Sequence, residues 1–178
     1  LGADIEKAQA LADAAAEGEV CTVANDNDPS QVVISGARAA IERAIALVKD
    51  HGIKRGVLLP VSAPFHCPLM QPAADAMAAA IADAALKAPL VPVYANVTAA
   101  PVADAETIKR LLVEQVTGRV RWRESVAGMF AAGVHDFAEF GGKVLSPMIK
   151  RIAPDANAVS LVTMDDITEY VAKNGTQE

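Results

Sequence analysis

The first chemistry this sequence offers sits in one short run, Val61-Ser62-Ala63-Pro64-Phe65-His66-Cys67-Pro68-Leu69-Met70. An imidazole can take and return a proton near neutral pH, and a thiol can act as a nucleophile. Pro60, Pro64, Pro68 and Pro72 stiffen the segment, and loops between a strand and a helix often aim a side chain into a cleft. From spacing alone, His66 serves either as a general base or as a packed structural histidine. Cys67 reads first as a small buried hydrophobe, with a thiol nucleophile as the alternative. His51 falls at a helix end, where a cation eases the dipole, and His135 at the start of a strand; both read as structural.

Other polar groups have two readings as well. Asn25, Asn27 and Gln31 fall in a stretch dense in turn formers, expected as the turn between two strands. Lys54-Arg55 is either a solvated turn or a grip for phosphate or an acidic partner. Glu139-Phe140-Gly141-Gly142-Lys143-Val144-Leu145 reads as a strand, a glycine turn and a helix start, with tight backbone packing as its explanation. The 178 residues contain no glycine-rich nucleotide loop, no His/Cys set at zinc spacing and no Gly-x-Ser-x-Gly elbow. No metal site is expected.

The elements that must hold these groups follow from periodicity. Asp4 caps a helix with Ile5, Ala8, Leu11, Ala12 and Ala15 on one face, stopped at Gly18. Strands are expected at 19–24 and 31–35. A second helix follows, with Ala40, Ile41, Ala44, Ile45 and Val48 turned inward, and then a third strand at 56–61. This α-β-β-α-β order is one strand short of a ferredoxin-like unit, and Leu1-Gly2 read as the end of that first strand. Beyond the proline-rich connector the pattern changes. Helices are expected at 73–86, 105–116, 123–132, 144–152 and 166–172, and strands at 91–95, 134–140 and 159–162, as in a parallel α/β sheet. The fold class is therefore α/β, with an incomplete ferredoxin-like subdomain over 1–62 and an α/β hydrolase-like part over 63–178.

Composition excludes whole classes. Hydrophobic residues make up 52% and charged residues 21%, so the chain is not a disordered tail. No uncharged apolar run approaches the roughly 18 residues that suggest a span, and no partner membrane is expected. A formal net charge of −6 argues against nucleic acid as partner. Two cysteines make no disulfide framework, and a cytoplasmic location is the expectation. Alanine supplies roughly one residue in five, which favours closely packed helices.

Several stretches together resemble the malonyl-CoA:acyl carrier protein transacylases. They are residues 25–36, Lys54-Arg55, the run from Leu58 to Met70, Val93-Tyr94-Ala95-Asn96-Val97, Leu112-Val113-Glu114-Gln115 with Trp122, and residues 139–151. The order is consistent along nearly the whole chain. The resemblance implies an acyltransferase of fatty-acid synthesis, with His66 as general base and the Gln115 main-chain carbonyl as its orienter. It further implies that Asn25, Asn27 and Gln31 line a thiol-donor channel, and that Lys54-Arg55 meet CoA phosphates or the acidic carrier protein. Phe65 matches malonyl-selective members. No cofactor is implied: a CoA thioester is the substrate, and phosphopantetheine on the acyl carrier protein is the acceptor.

Two departures stand out. Family members usually carry a residue between the glycines where this chain has Gly141-Gly142, and a glycine at Pro147. The family's N-terminal portion holds the serine elbow, an oxyanion-hole glutamine and the arginine for the malonyl carboxylate, and it is unmatched here. The chain is therefore expected to be a fragment or processed piece, inactive alone, with that portion of the enzyme as a partner beside malonyl-CoA and acyl carrier protein. The alternative is a non-catalytic ferredoxin-like module that docks acyl carrier protein or a small ligand.

Overall fold

The computed structural model describes residues 1–175. They fall into two compact units, the first ending at Ser125 and the second starting at Val126; the change of pattern along the sequence places its boundary at 62/63.

In the first unit, α1 (Ile5–Ala16) begins where Asp4 accepts the Lys7 N–H at 2.8 Å. It ends on Glu17 in the left-handed region, φ 44°. Its last carbonyls lack helical partners. Arg43, from α2 (Arg38–Leu47), donates to the Ala15 and Ala16 carbonyls and to the Glu19 carboxylate. Ala8, Leu11, Ala12 and Ala15 are buried, and Leu11, Ala12 and Ala15 share a core with Ala40, Ala44, Val48 and Ile53. The small side chains let the helices approach closely. Ile45, expected in this core, is exposed.

The hairpin behind these helices is β1 (Cys21–Asp28) paired antiparallel with β2 (Gln31–Gly36). Strand β1 runs four residues further than its sequence suggests, so Asn25 and Asn27 lie on a strand and not in the turn. Two register shifts accommodate the polar residues. A second partner also holds this stretch extended: Val120 donates to the Ala24 carbonyl and accepts from the Asp26 N–H. Asp26 is fully buried and takes a two-pronged ion pair from Arg123, with contacts of 2.8–3.0 Å.

The third strand expected at 56–61 is absent from the structure. Backbone groups form a strand only where a neighbour accepts their hydrogen bonds, and among the described residues none pairs there. Pairing stops one residue earlier, where Leu1 and Arg55 exchange backbone hydrogen bonds of 2.8 and 3.2 Å.

After the loop comes one 3-10 turn (Pro68–Met70), then α3 (Gln71–Ala82), shorter than expected. The strand expected near 91–95 is β3 (Val93–Ala95), but it does not join the expected parallel sheet: it pairs antiparallel with an unexpected β4 (Ala100–Val102). Pro101 sits inside β4, which kept that strand from view in the sequence. Helix α4 (Ala105–Thr117) starts where Asp104 accepts the Thr107 N–H at 2.7 Å, and both the 3-10 turn and α3 pack on it. Helix α5 (Trp122–Ala131) follows across the division between the units.

The second unit holds β5 (Asp136–Phe140) and β6 (Asn157–Leu161), paired in parallel as the strand-helix alternation implied. The crossover is α6 (Leu145–Ile152), and α7 (Met164–Asn174) closes with a capping box on Thr163 and Asp166. Glu139 does more than pack. Its carboxylate accepts the N–H groups of Val144, Leu145 and Ser146 at 2.8–2.9 Å, and the Ser146 hydroxyl at 2.9 Å. A helix start leaves four N–H groups unpaired. Glu139 takes three of them, and Pro147 removes the fourth by having none. That accounts for a proline at this position.

Burial pushes the Glu139 carboxyl up, but the hydrogen bonds from Leu145, Ser146 and Val144 outweigh it and hold it at about 2, against the usual 4.5. A carboxyl lowered by folding stabilises the fold fully above its unfolded value, and that contribution drains away as pH falls through the folded one. Glu139→Gln should therefore melt below the parent at about pH 7, with the gap closing between pH 4.5 and about 2. Thermal melts across that window check it; a gap of constant size contradicts it.

Candidate active site

His66 is set by its loop and not by a helix or strand. Its backbone lies in the left-handed region, φ 58°, uncommon outside glycine. Flanking contacts maintain the bend: the Phe65 N–H donates to the Ala63 carbonyl at 3.0 Å, the Cys67 thiol to the Pro64 carbonyl at 3.1 Å, and the Met70 N–H to the Cys67 carbonyl at 3.0 Å. Cys67 is fully buried and its thiol is committed to that carbonyl, which removes it as a nucleophile. Phe65 is 47% exposed and precedes the half-buried His66.

The His66 Nδ1 lies 2.9 Å from the Gln115 main-chain oxygen, 49 residues along the chain. The helix explains why that oxygen is free. Gln115 is in the last turn of α4, where carbonyls lack a partner four residues on. Gly118 stops the helix in an extended conformation, φ −85° and ψ 150°, and its N–H returns to the Glu114 carbonyl. A carbonyl only accepts, so the neutral ring carries its proton on Nδ1 and presents Nε2 as a bare acceptor. A general base needs that tautomer.

The other expected site residues have separate settings. Asn25 and Asn27 are half-buried on β1, and Gln31 opens β2 opposite Asp28. Asn25 bridges to Val120, so this part of the hairpin is tied to the segment just after Gln115. Lys54 and Arg55 are exposed and line a surface depression of about 380 Å³ with Leu1, Gly2 and Ser30. Among the described residues no group of three or more His, Cys, Asp or Glu is arranged to hold a metal ion, and no helix is long and apolar enough to cross a membrane.

Sequence reasoning missed the Asp26–Arg123 pair and Gly118. The pair joins residues 97 apart, with no local signal. Gly118 had one, as a glycine just past a helical pattern. A Cβ there would meet the Glu114 carbonyl at 2.7 Å and Val97 Cγ2 at 2.8 Å.

Residues 4–142 match the acyl transferase domain family model. The chain is 43% identical over 173 residues to the malonyl CoA-acyl carrier protein transacylase of Haemophilus influenzae, covering 97% of this chain and 54% of that protein. It superposes on the crystal structure of an acyl-carrier-protein-S-malonyltransferase from Bartonella henselae with a TM-score of 0.93 and 45% identity, over 99% of this chain and 56% of that one. A malonyl-transacylase solved in complex with a type II PKS acyl-carrier protein gives a TM-score of 0.94 at 35% identity, over 98% and 57% of the two chains. The chain spans about half the length of the curated relatives it matches. With most of its residues on the family pattern and its mixed α/β fold shared with these structures, the chain belongs to the acyl transferase domain family.

Proposed function

We propose that this chain supplies the general base and carrier-facing part of a transferase that moves malonyl from CoA to the phosphopantetheine thiol of acyl carrier protein. The 2.9 Å contact between His66 Nδ1 and the Gln115 carbonyl carries this reading, because it leaves Nε2 as the proton acceptor. A serine on a nucleophile elbow, which these 178 residues do not include, gives its hydroxyl proton to Nε2 as its oxygen attacks the malonyl thioester. The C–S bond breaks, and the departing CoA sulfur takes that proton back from Nε2. In the second half the carrier thiol gives its proton to Nε2 and attacks the acyl ester. The serine oxygen leaves and is reprotonated. Every proton passes through His66 and no electron changes hands, so the cycle balances without a cofactor.

Residues 1–62 act in this reading as a ferredoxin-like subdomain, with 56–61 completing its strand when the remainder of the enzyme is present. Residues 63–178 then form the C-terminal part of a hydrolase-like core. Asn25, Asn27 and Gln31 line the thiol channel, Lys54 and Arg55 face CoA phosphates or the acidic carrier, and Phe65 borders the acyl group. The cytoplasm is the proposed site of action.

The test is reconstitution. The 178-residue chain is mixed or co-expressed with an acyl transferase segment that carries the serine elbow, and malonyl loading of acyl carrier protein is followed by intact mass. Loading by the pair but by neither part alone is the expected result. Loading by this chain alone, or none by a folded, associated pair, overturns the proposal.

A further inference from the structure

His66 holds a backbone conformation that it would not keep unaided. Its φ of 58° is left-handed, and for a residue with a Cβ that setting costs about as much as one net hydrogen bond returns. Such a residue persists only where its surroundings over-determine it. One contact within the loop is therefore enough to decide whether the bend exists.

Two contacts bracket the histidine. On the upstream side the Phe65 N–H donates to the Ala63 carbonyl at 3.0 Å, closing a three-residue turn centred on Pro64, whose ring fixes φ there. On the downstream side the Cys67 thiol donates to the Pro64 carbonyl at 3.1 Å, which closes a ring of chain around Phe65 and His66. Cys67 itself is extended, φ −142° and ψ 168°. It is wholly buried, and from residue 54 to residue 73 no other residue is buried. Val57, Leu58, Leu59, Val61, Phe65 and Leu69 are all exposed, so packing of its neighbours does not hold the bend. Cys67 is the point where this stretch is pinned. Burial also keeps water from competing for a weak S–H donor.

We propose that the Pro64–Cys67 bend is a positioning element for the base. The Cys67 S–H, by capping the Pro64 carbonyl, holds His66 left-handed and so keeps its imidazole in place. The thiol contributes one donated hydrogen bond and no chemistry of its own. This rests on the general-base role proposed above, but its first readout is backbone conformation and not turnover.

The experiment is NMR of the labelled 178-residue chain. A positive φ brings a residue's own amide hydrogen close to its Hα, so His66 in the parent should give a strong intraresidue amide–Hα NOE. Cys67→Ser keeps a donor at the same place and should keep that signal. Cys67→Ala has no donor and should lose it, as His66 relaxes to negative φ. Cys67→Val fills the space without a donor, should lose the signal too, and stands in if the alanine variant does not fold. A strong His66 signal in a folded variant without a donor overturns the proposal, even where the melting temperature falls, because Cys67 would then be packing only. Loss of the signal in folded Cys67→Ser overturns it as well. In the reconstituted transferase Cys67→Ala should lower kcat by about tenfold with KM for malonyl-CoA kept, short of the roughly 10²-fold that a 1 Å misplacement can cost. An unchanged kcat in that variant counts against the proposal in the same way. If the reconstituted parent transfers no malonyl, the general-base reading fails, while the His66 signal still decides what holds the bend.

Discussion

On the proposed function, His66→Ala in the reconstituted transferase should lower malonyl loading of the carrier by about 10²–10⁴-fold, the range for loss of a positioned general base. Both half-reactions lose the same proton acceptor, so release of CoA from malonyl-CoA should fall along with carrier loading. The ring is held by a left-handed backbone at His66, a proline-braced loop and a carbonyl left over at a helix end. Alanine removes the imidazole while the Cys67 to Pro64 and Met70 to Cys67 contacts can remain, so the protein should still fold. Its circular dichroism and melting temperature serve as controls. Near-parental loading by a folded variant would end the general-base assignment.

Arg123→Met should destabilise the first unit by about 3 kcal/mol, toward the lower end of the range for breaking a buried ion pair. Asp26 is 1% exposed at its side chain, and Arg123 supplies three contacts to it. Taking away the guanidinium strands a carboxylate where water cannot reach it, and the cost is that desolvation. The partner is 35% exposed, so the intact pair is partly screened and the upper end of the range does not apply. Asp26→Leu combined with Arg123→Met should recover most of the loss, since neither charge is then left unpaired. Urea unfolding followed through Trp122, the chain's single tryptophan, measures both. If the single variant costs less than about 1 kcal/mol, Asp26 is not buried in the way described. The pair also bears on the site: β1 through Asp26, and Val120 through its backbone, hold the segment that follows Gln115.

Asp4 and Gly18 bounded α1, and the alternation of strands and helices in the second unit foretold a parallel pair. Asn25 and Asn27 misled, because turn-forming residues were pulled into a strand by two neighbours at once, β2 and Val120. The run from Gly56 to Val61 misled in the other direction: its β-forming residues lack a neighbour to accept their hydrogen bonds.

From sequence alone came the caps, the helical faces, the proline-braced histidine and the family likeness, because each depends on neighbours within a turn or two or on an ordered set of motifs. Three features needed the folded chain: the carbonyl that chooses the His66 tautomer, the arginine that neutralises Asp26, and the carboxylate that starts α6. The first two join groups 49 and 97 residues apart. The third reaches only seven residues at most, yet it exists only because a glycine turn folds the helix start back onto its strand. Spacing along a chain says which groups are present; only packing decides which of them touch.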